Sequence, residues 1–115
     1  MNRHIKNGKH LILDLHECGY MPTHSEIYEL FEDIVKAVEM KTLIPPFIVK
    51  GAEHLAGLTG FCVIETSHLT IHTFVDEKYV AFDLYSCKDY DEKIVIEKIQ
   101  QLVKPKDIEK KMFKR

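Results

Sequence analysis

From residue 10 the chain alternates: Leu11, Leu13 and Leu15 fall on one side and His10, Asp14, His16 and Cys18 on the other. That two-residue period predicts a strand with one buried face. Gly19 to Thr23 breaks the rhythm, and Thr23-His24-Ser25-Glu26 then reads as a capping box. Behind it Ile27, Leu30, Phe31, Ile34, Val35 and Val38 recur at helical spacing, so a first helix lays one apolar face on the core. Pro45-Pro46 marks a turn or an extended lead-in to the short apolar run Phe47-Ile48-Val49, expected as a second strand. Gly51 to Gly60 is expected to be a flexible loop, its glycines permitting tight turns.

Phe61 to Ile64 resumes an apolar strand. Beyond it Leu69, Ile71, Thr73 and Val75 face one way, while His68, Thr70, His72, Phe74 and Asp76 face the other. Glu77-Lys78 is the predicted hairpin tip, after which Val80, Phe82, Leu84 and Ser86 alternate with Tyr79, Ala81, Asp83, Tyr85 and Cys87. If the apolar faces pack on helices, His72 and Cys87 emerge together on the other side. Asp89-Tyr90-Asp91-Glu92 caps a second helix whose stripe is Ile94, Val95, Ile99, Leu102 and Val103, ending before Pro105. Ile108 and Met112, set among lysines, read as a weak edge strand. Strand, helix, three or four strands, helix, strand is the order of an α+β two-layer sandwich, an antiparallel sheet with two helices on one face. The polar and aromatic opposite face then calls for a homodimer interface or a substrate cleft.

Composition narrows this. At 115 residues, 45% hydrophobic and 30% charged, the chain fits one soluble domain spanning 1–115. A net charge of -2 gives no bias toward nucleic acid or an anionic membrane, and the basic excess from Lys104 to Arg115 reads as a solvated strand. Cys18, Cys62 and Cys87 are too widely spaced for a disulfide framework or a zinc site, which suggests a reducing cytoplasm. Neither an apolar leader nor a run of ~18 apolar residues is present, so the expectation is a protein that is neither secreted nor membrane-spanning.

The chemistry concentrates in Glu65 to Phe74, where a hydroxyl and two imidazoles share a strand, with Cys87 closing the next. Three readings compete. The residues are ordinary strand positions with satisfied hydrogen bonds; or His68 and His72 share a metal, although four residues of strand separate them by roughly 13 Å; or Ser67 is a reactive group with His72 and Cys87 handling protons.

Ser67-His68-Leu69-Thr70-Ile71-His72-Thr73-Phe74 followed by Tyr79-Val80-Ala81-Phe82-Asp83-Leu84-Tyr85-Ser86-Cys87 resembles the signature of prokaryotic S-adenosylmethionine decarboxylases. The likeness runs from His10-Leu11-Ile12-Leu13 through Gly57-Leu58-Thr59-Gly60 to Val103-Lys104-Pro105-Lys106. That family makes a covalent pyruvoyl group by cutting its own backbone before a serine. The resemblance implies Thr66-Ser67 as the cleavage site and Ser67 as the pyruvoyl precursor that forms the Schiff base. It implies Thr59 as the processing hydroxyl, His72 as the proton acceptor in processing and Cys87 as the proton donor in decarboxylation. Residues 1–66 and 67–115 would stay together as two chains, in a homodimer with sites at the interface and without a metal. The product would be decarboxylated S-adenosylmethionine, an aminopropyl donor for spermidine and other polyamines.

The chain departs from the family in three respects. Thr66 stands before the serine where Glu is usual, and its β-branch crowds the attacked carbon, so slow or incomplete cleavage is expected. Phe74 replaces a common Trp and Asp76 a ribose-holding Glu, yet Phe can stack on adenine and Asp can accept the same bonds. With no aromatic from Ile48 to Leu58, Phe47 is the second aromatic offered to the substrate. Two other readings stay open: the same chemistry on ornithine or arginine, and an unprocessed homologue acting as a dimeric binding or regulatory partner.

Overall fold

The computed structural model describes residues 8–51 and 56–115. In chain order the elements are β1 (Lys9–His16), α1 (His24–Ala37), β2 (Thr42–Lys50), β3 (Leu58–Ile64), β4 (Ser67–Phe74), β5 (Tyr79–Ser86), α2 (Glu92–Val103) and β6 (Asp107–Lys114). The strands form one six-stranded sheet in the order β2-β3-β4-β5-β1-β6, with every neighbouring pair antiparallel. Both helices cover the same face, as the α+β two-layer reading requires.

Local chemistry explains most boundaries. α1 starts where the Thr23 hydroxyl accepts the Glu26 N–H at 3.3 Å and the Glu26 carboxylate accepts the Thr23 N–H at 2.9 Å, which closes the expected capping box. Its buried face is Ile27, Leu30, Phe31, Ile34 and Val35. α2 is capped by Asp91, whose side chain accepts the Lys93 N–H, and it stops at Lys104, which turns left-handed at φ 50°. Val95, Ile99 and Val103 face the core. Ile94 is 39% exposed, because a residue one step before that every-fourth-residue stripe is turned about 100° away from it. β6 pairs with β1 along its whole length and leaves its other edge to the lysines.

Three local expectations change. β2 begins at Thr42 and carries Pro45 and Pro46 within it, where the register against β3 shifts. An edge strand tolerates prolines because one row of its N–H groups has no partner to lose. The loop expected over 51–60 gives up Leu58 to Gly60 to β3, with the Leu58 N–H held by the Thr73 hydroxyl at 2.8 Å. The Gly57 carbonyl accepts the Gly51 N–H at 3.0 Å, and residues 52–55 of that loop lie outside the described residues. Cys18, expected on the polar face of the first strand, is 2% exposed in the core. Glu17 has φ 50°, which ends the alternation and turns the next side chain inward.

Gly60 sits where α1 crosses β3. A Cβ there would lie 2.9 Å from Ile71 Cγ2 and 3.0 Å from Ile27 Cγ2. Gly60→Ala is expected to cost about 1–3 kcal/mol of stability through overpacking, read as a lower urea midpoint at constant slope. An unchanged midpoint would mean that α1 does not need this close seat.

Candidate active site

β4 runs between β3 and β5, and the two registers decide which candidate residues meet. At its start Ser67 faces Ile64 on β3 and Ser86 on β5; near its end His72 faces Thr59 and Ala81. Ser67 and His72 are five residues apart on one strand, so alternation sends them to opposite faces about 16 Å apart. Two separate clusters result.

The first surrounds the Thr66-Ser67 bond. Glu65 and Thr66 form a two-residue turn between the paired residues Ile64 and Ser67. Thr66 has φ 49°. Its hydroxyl donates to the Glu65 carbonyl at 2.7 Å and therefore accepts from the Cys87 thiol at 2.6 Å. Ser67 turns toward the helices, is 6% exposed, and its Oγ has no hydrogen-bond partner among the described residues. Nearly all buried hydroxyls are partnered, which sets Ser67 apart from Thr73 and Ser86, the other buried hydroxyls of the sheet, both of which are bonded.

The second cluster is on the open face. Thr59 Oγ1 lies 3.0 Å from His72 Nδ1. His72 is exposed, and with Gly57, Thr59 and Phe74 it lines a cavity of about 160 Å³. Phe74 stacks on Tyr79 at 5.2 Å, and Tyr79 in turn stacks on His16 at 5.2 Å. Asp76 is exposed in the turn beyond β4.

Alternation puts His72 and Cys87 on the same open face, as expected, but they do not meet within one chain: the register opposes His72 to Ala81, six residues before Cys87, which follows the end of β5. Phe47 is 62% exposed on β2 opposite Phe61, in line with Thr70 rather than Phe74, so one chain does not bring together the two aromatics expected to meet the substrate. Sequence reading also left out Tyr79, His10, Asp83 and Tyr85. Tyr79 was within reach, since counting inward from the hairpin tip pairs it with Phe74. His10 is 3.1 Å from Asp83, and its ring lies edge-on to His68 and Tyr85. Partial burial and, after it, the nearby His10 hold the His68 imidazole below its ordinary pKa, so it favours the neutral form. Among the described residues, His16, Asp107 and Glu109 bring possible ligand atoms within 4.8 Å of one another; His16 is bonded to Glu109 at 2.7 Å, and the group is away from Ser67. No helix among the described residues is long and apolar enough to cross a membrane.

The family model described as S-adenosylmethionine decarboxylase matches residues 9–115. A Methanococcus maripaludis protein named S-adenosylmethionine decarboxylase proenzyme is 33% identical over 111 residues, 94% of this chain and 88% of that one. One of the same name from Persephonella marina is 31% identical over 94% of this chain and 81% of its own. Another from Clostridium botulinum is 28% identical over 78% of each. The crystal structure of an Aquifex aeolicus adenosylmethionine decarboxylase superposes with a TM-score of 0.80 at 24% identity, covering 96% of this chain and 91% of that one, and shares the fold.

The three thiols sit in different surroundings. Cys87 is half-buried, whereas Cys18 and Cys62 are in the core; burial pushes the Cys18 thiol up and the Cys62 thiol up to about 11. A thiol-reactive dye at pH 8 is expected to label one cysteine of the folded protein, Cys87, and all three after denaturation. The Cys62 shift also carries a stability sign. Its unfolded thiol ionises near 9.0 and its folded one near about 11, so the contribution is intact below pH 9 and is lost as pH rises toward 11. Urea midpoints that stay level over that window would contradict the burial of Cys62.

Proposed function

The chain belongs to the S-adenosylmethionine decarboxylase family, and from that premise we propose that it cuts itself before Ser67 and then decarboxylates S-adenosylmethionine. The observation that carries this reading is the buried, unpartnered Ser67 hydroxyl directly after a left-handed Thr66, whose own hydroxyl meets the Cys87 thiol. In the proposed processing, Ser67 Oγ attacks the Thr66 carbonyl, and the amide becomes an ester through an oxyanion that a hydroxyl such as Thr59 stabilises. A base removes the Ser67 α-proton and the Thr66 carboxylate departs. Hydrolysis of the dehydroalanine left behind releases ammonia and leaves a pyruvoyl group heading residues 67–115, with 1–66 held as the second chain of one domain.

The pyruvoyl group supplies a ketone that holds the substrate amine and takes up the electrons freed as CO2 leaves. Cys87, whose thiol donates toward Thr66, is the proposed proton donor to the resulting carbanion. Phe74 is the proposed adenine platform and Asp76 the proposed ribose acceptor. No metal enters the scheme. The product would feed aminopropyl transfer in polyamine synthesis, and three unpaired thiols fit a reducing cytoplasm.

His72 is the proposed base, and within one chain it lies at the far end of β4 from the proton it must take. A homodimer removes the difficulty. Ser67 points its Cβ at the helices, so its tetrahedral Cα turns the hydrogen toward the open face. Two copies meeting open face to open face about a two-fold axis would set the Thr59–His72–Phe74 end of one against the Ser67–Cys87 end of the other. Exposed Val49, Phe47 and Phe61 on that face supply apolar area for such a contact. Ornithine and arginine, which the relatives' names do not favour, would share the chemistry.

Ser67→Ala should run as one uncut band on a denaturing gel, and CO2 release should follow S-adenosylmethionine and not ornithine or arginine; cleavage persisting in that variant sinks the reading. Ser67→Ala and His72→Ala should each stay intact alone. When co-expressed, the His72→Ala chain should be cut, because its partner supplies the imidazole. Absence of cutting in the mixture, with mixed dimers demonstrated by mass, would refute the shared site.

A further inference from the structure

Resting on the self-cleavage proposed above, we infer that Thr66 is a positioning residue whose strained left-handed backbone drives the acyl shift to Ser67. The two-residue turn from Ile64 to Ser67 puts φ 49° on its second central residue, the place where turns of this kind take Gly or Asn. Of the described non-glycine residues with positive φ, which are Glu17, Glu39, Thr66, Lys78 and Lys104, only Thr66 is β-branched. A β-branched side chain there collides with its own backbone, so the conformation persists only because its surroundings impose it.

Those surroundings are specific. β3 and β4 fix both ends of the turn through the Cys62↔Leu69, Val63↔His68 and Ile64↔Ser67 pairs, and the Glu65 N–H is held by the Lys41 carbonyl at 3.1 Å. The Thr66 hydroxyl is pinned between the Glu65 carbonyl and Cys87 Sγ at 2.7 and 2.6 Å. No relaxation is available without breaking the hairpin. The attacking Ser67 Oγ is meanwhile left without a partner to release. Strain and an uncommitted nucleophile thus meet at one peptide bond. The shift breaks the Thr66 C–N bond, forms the Thr66 C–O bond to Ser67 Oγ, and leaves the Ser67 nitrogen as a free amine, which unlocks the turn. Crowding by the β-branch opposes attack, and strain favours it; the geometry points to strain as the larger effect.

The test is a time course of intact mass for the full chain and two variants. Thr66→Gly, which accepts φ 49° without penalty, should be cut about 5- to 30-fold more slowly than wild type. Thr66→Val keeps the branch and loses the hydroxyl, and should stay within about 3-fold of wild type. In the uncut Ser67→Ala background, Thr66→Gly should raise Tm by roughly 2–6 °C, a gain that a merely weakened turn would not give. Thr66→Gly cut as fast as wild type overturns this inference alone. Thr66→Val as slow as Thr66→Gly overturns it in favour of the hydroxyl. A wild-type chain that is never cut removes both the inference and the function on which it rests.

Discussion

Everything at the site follows from the pairing of β4 between two neighbours in fixed register. A strand's side chains alternate, and residues an odd number of places apart cannot share a face. Ser67 and His72 are such a pair, held by Ser67↔Ser86 and Ser67↔Ile64 at one end and His72↔Ala81 and His72↔Thr59 at the other. A slip by one residue would put Leu69 and Ile71, both fully buried, into solvent, so the core enforces the separation of Ser67 from His72. The same rows of hydrophobic contact that stabilise the domain thereby divide its chemistry into two half-sites. In the proposed homodimer a two-fold partner would rejoin them, since it would supply each end with the other end of an identical strand.

The core also explains how a locally unfavourable arrangement survives. A buried hydroxyl without a partner costs about 1–3 kcal/mol, and a left-handed β-branched residue about 1–2 kcal/mol. Together these are a sizeable part of the 5–15 kcal/mol typical of a whole domain. They are bearable because the turn sits between two central strands and above a continuous apolar layer that includes Phe31, Phe82 and Leu84, each fully buried. That placement matters to the proposed chemistry. A strained turn at a frayed edge would relax by opening, whereas one anchored in the middle of a sheet can relax only through the bond it contains.

Most of the architecture was legible along the chain because it rests on local signals. The alternation of Leu11, Leu13 and Leu15 gave β1, and the Thr23/Glu26 box gave the start of α1. What was illegible depends on distant neighbours. Prolines at 45 and 46 argue against a strand unless it is known to lie at an edge. Cys18 enters the core only because Glu17 takes a positive φ, which no periodicity announces. The family resemblance proposed Ser67, His72, Cys87 and Thr59 as one set, but their division into Thr66–Cys87 and Thr59–His72 needed the strand register. Threonine at 66 read as crowding; its left-handed backbone was invisible because turn chemistry would have put Gly or Asn there.

At the aromatic end of the open face, the proposed adenine platform Phe74 is held by its neighbours. Phe74 is the outermost ring of a stack that continues through Tyr79 to His16, at 5.2 Å for each step. Glu109 holds His16 at 2.7 Å, and the Tyr79 hydroxyl donates to Asp14. Burial first, and then this bond to Asp14, pushes the Tyr79 phenol up to about 12, so it stays a neutral donor at any pH the enzyme would meet. Phe74 therefore has one face stacked on Tyr79 in the absence of any ligand. A small ring that is already ordered loses little conformational entropy on stacking, which offsets the contact area that a larger but freer ring would add. In the reading proposed here, purine recognition is carried by that ordered ladder, and Phe47, out of line on its own chain, acts only across the dimer.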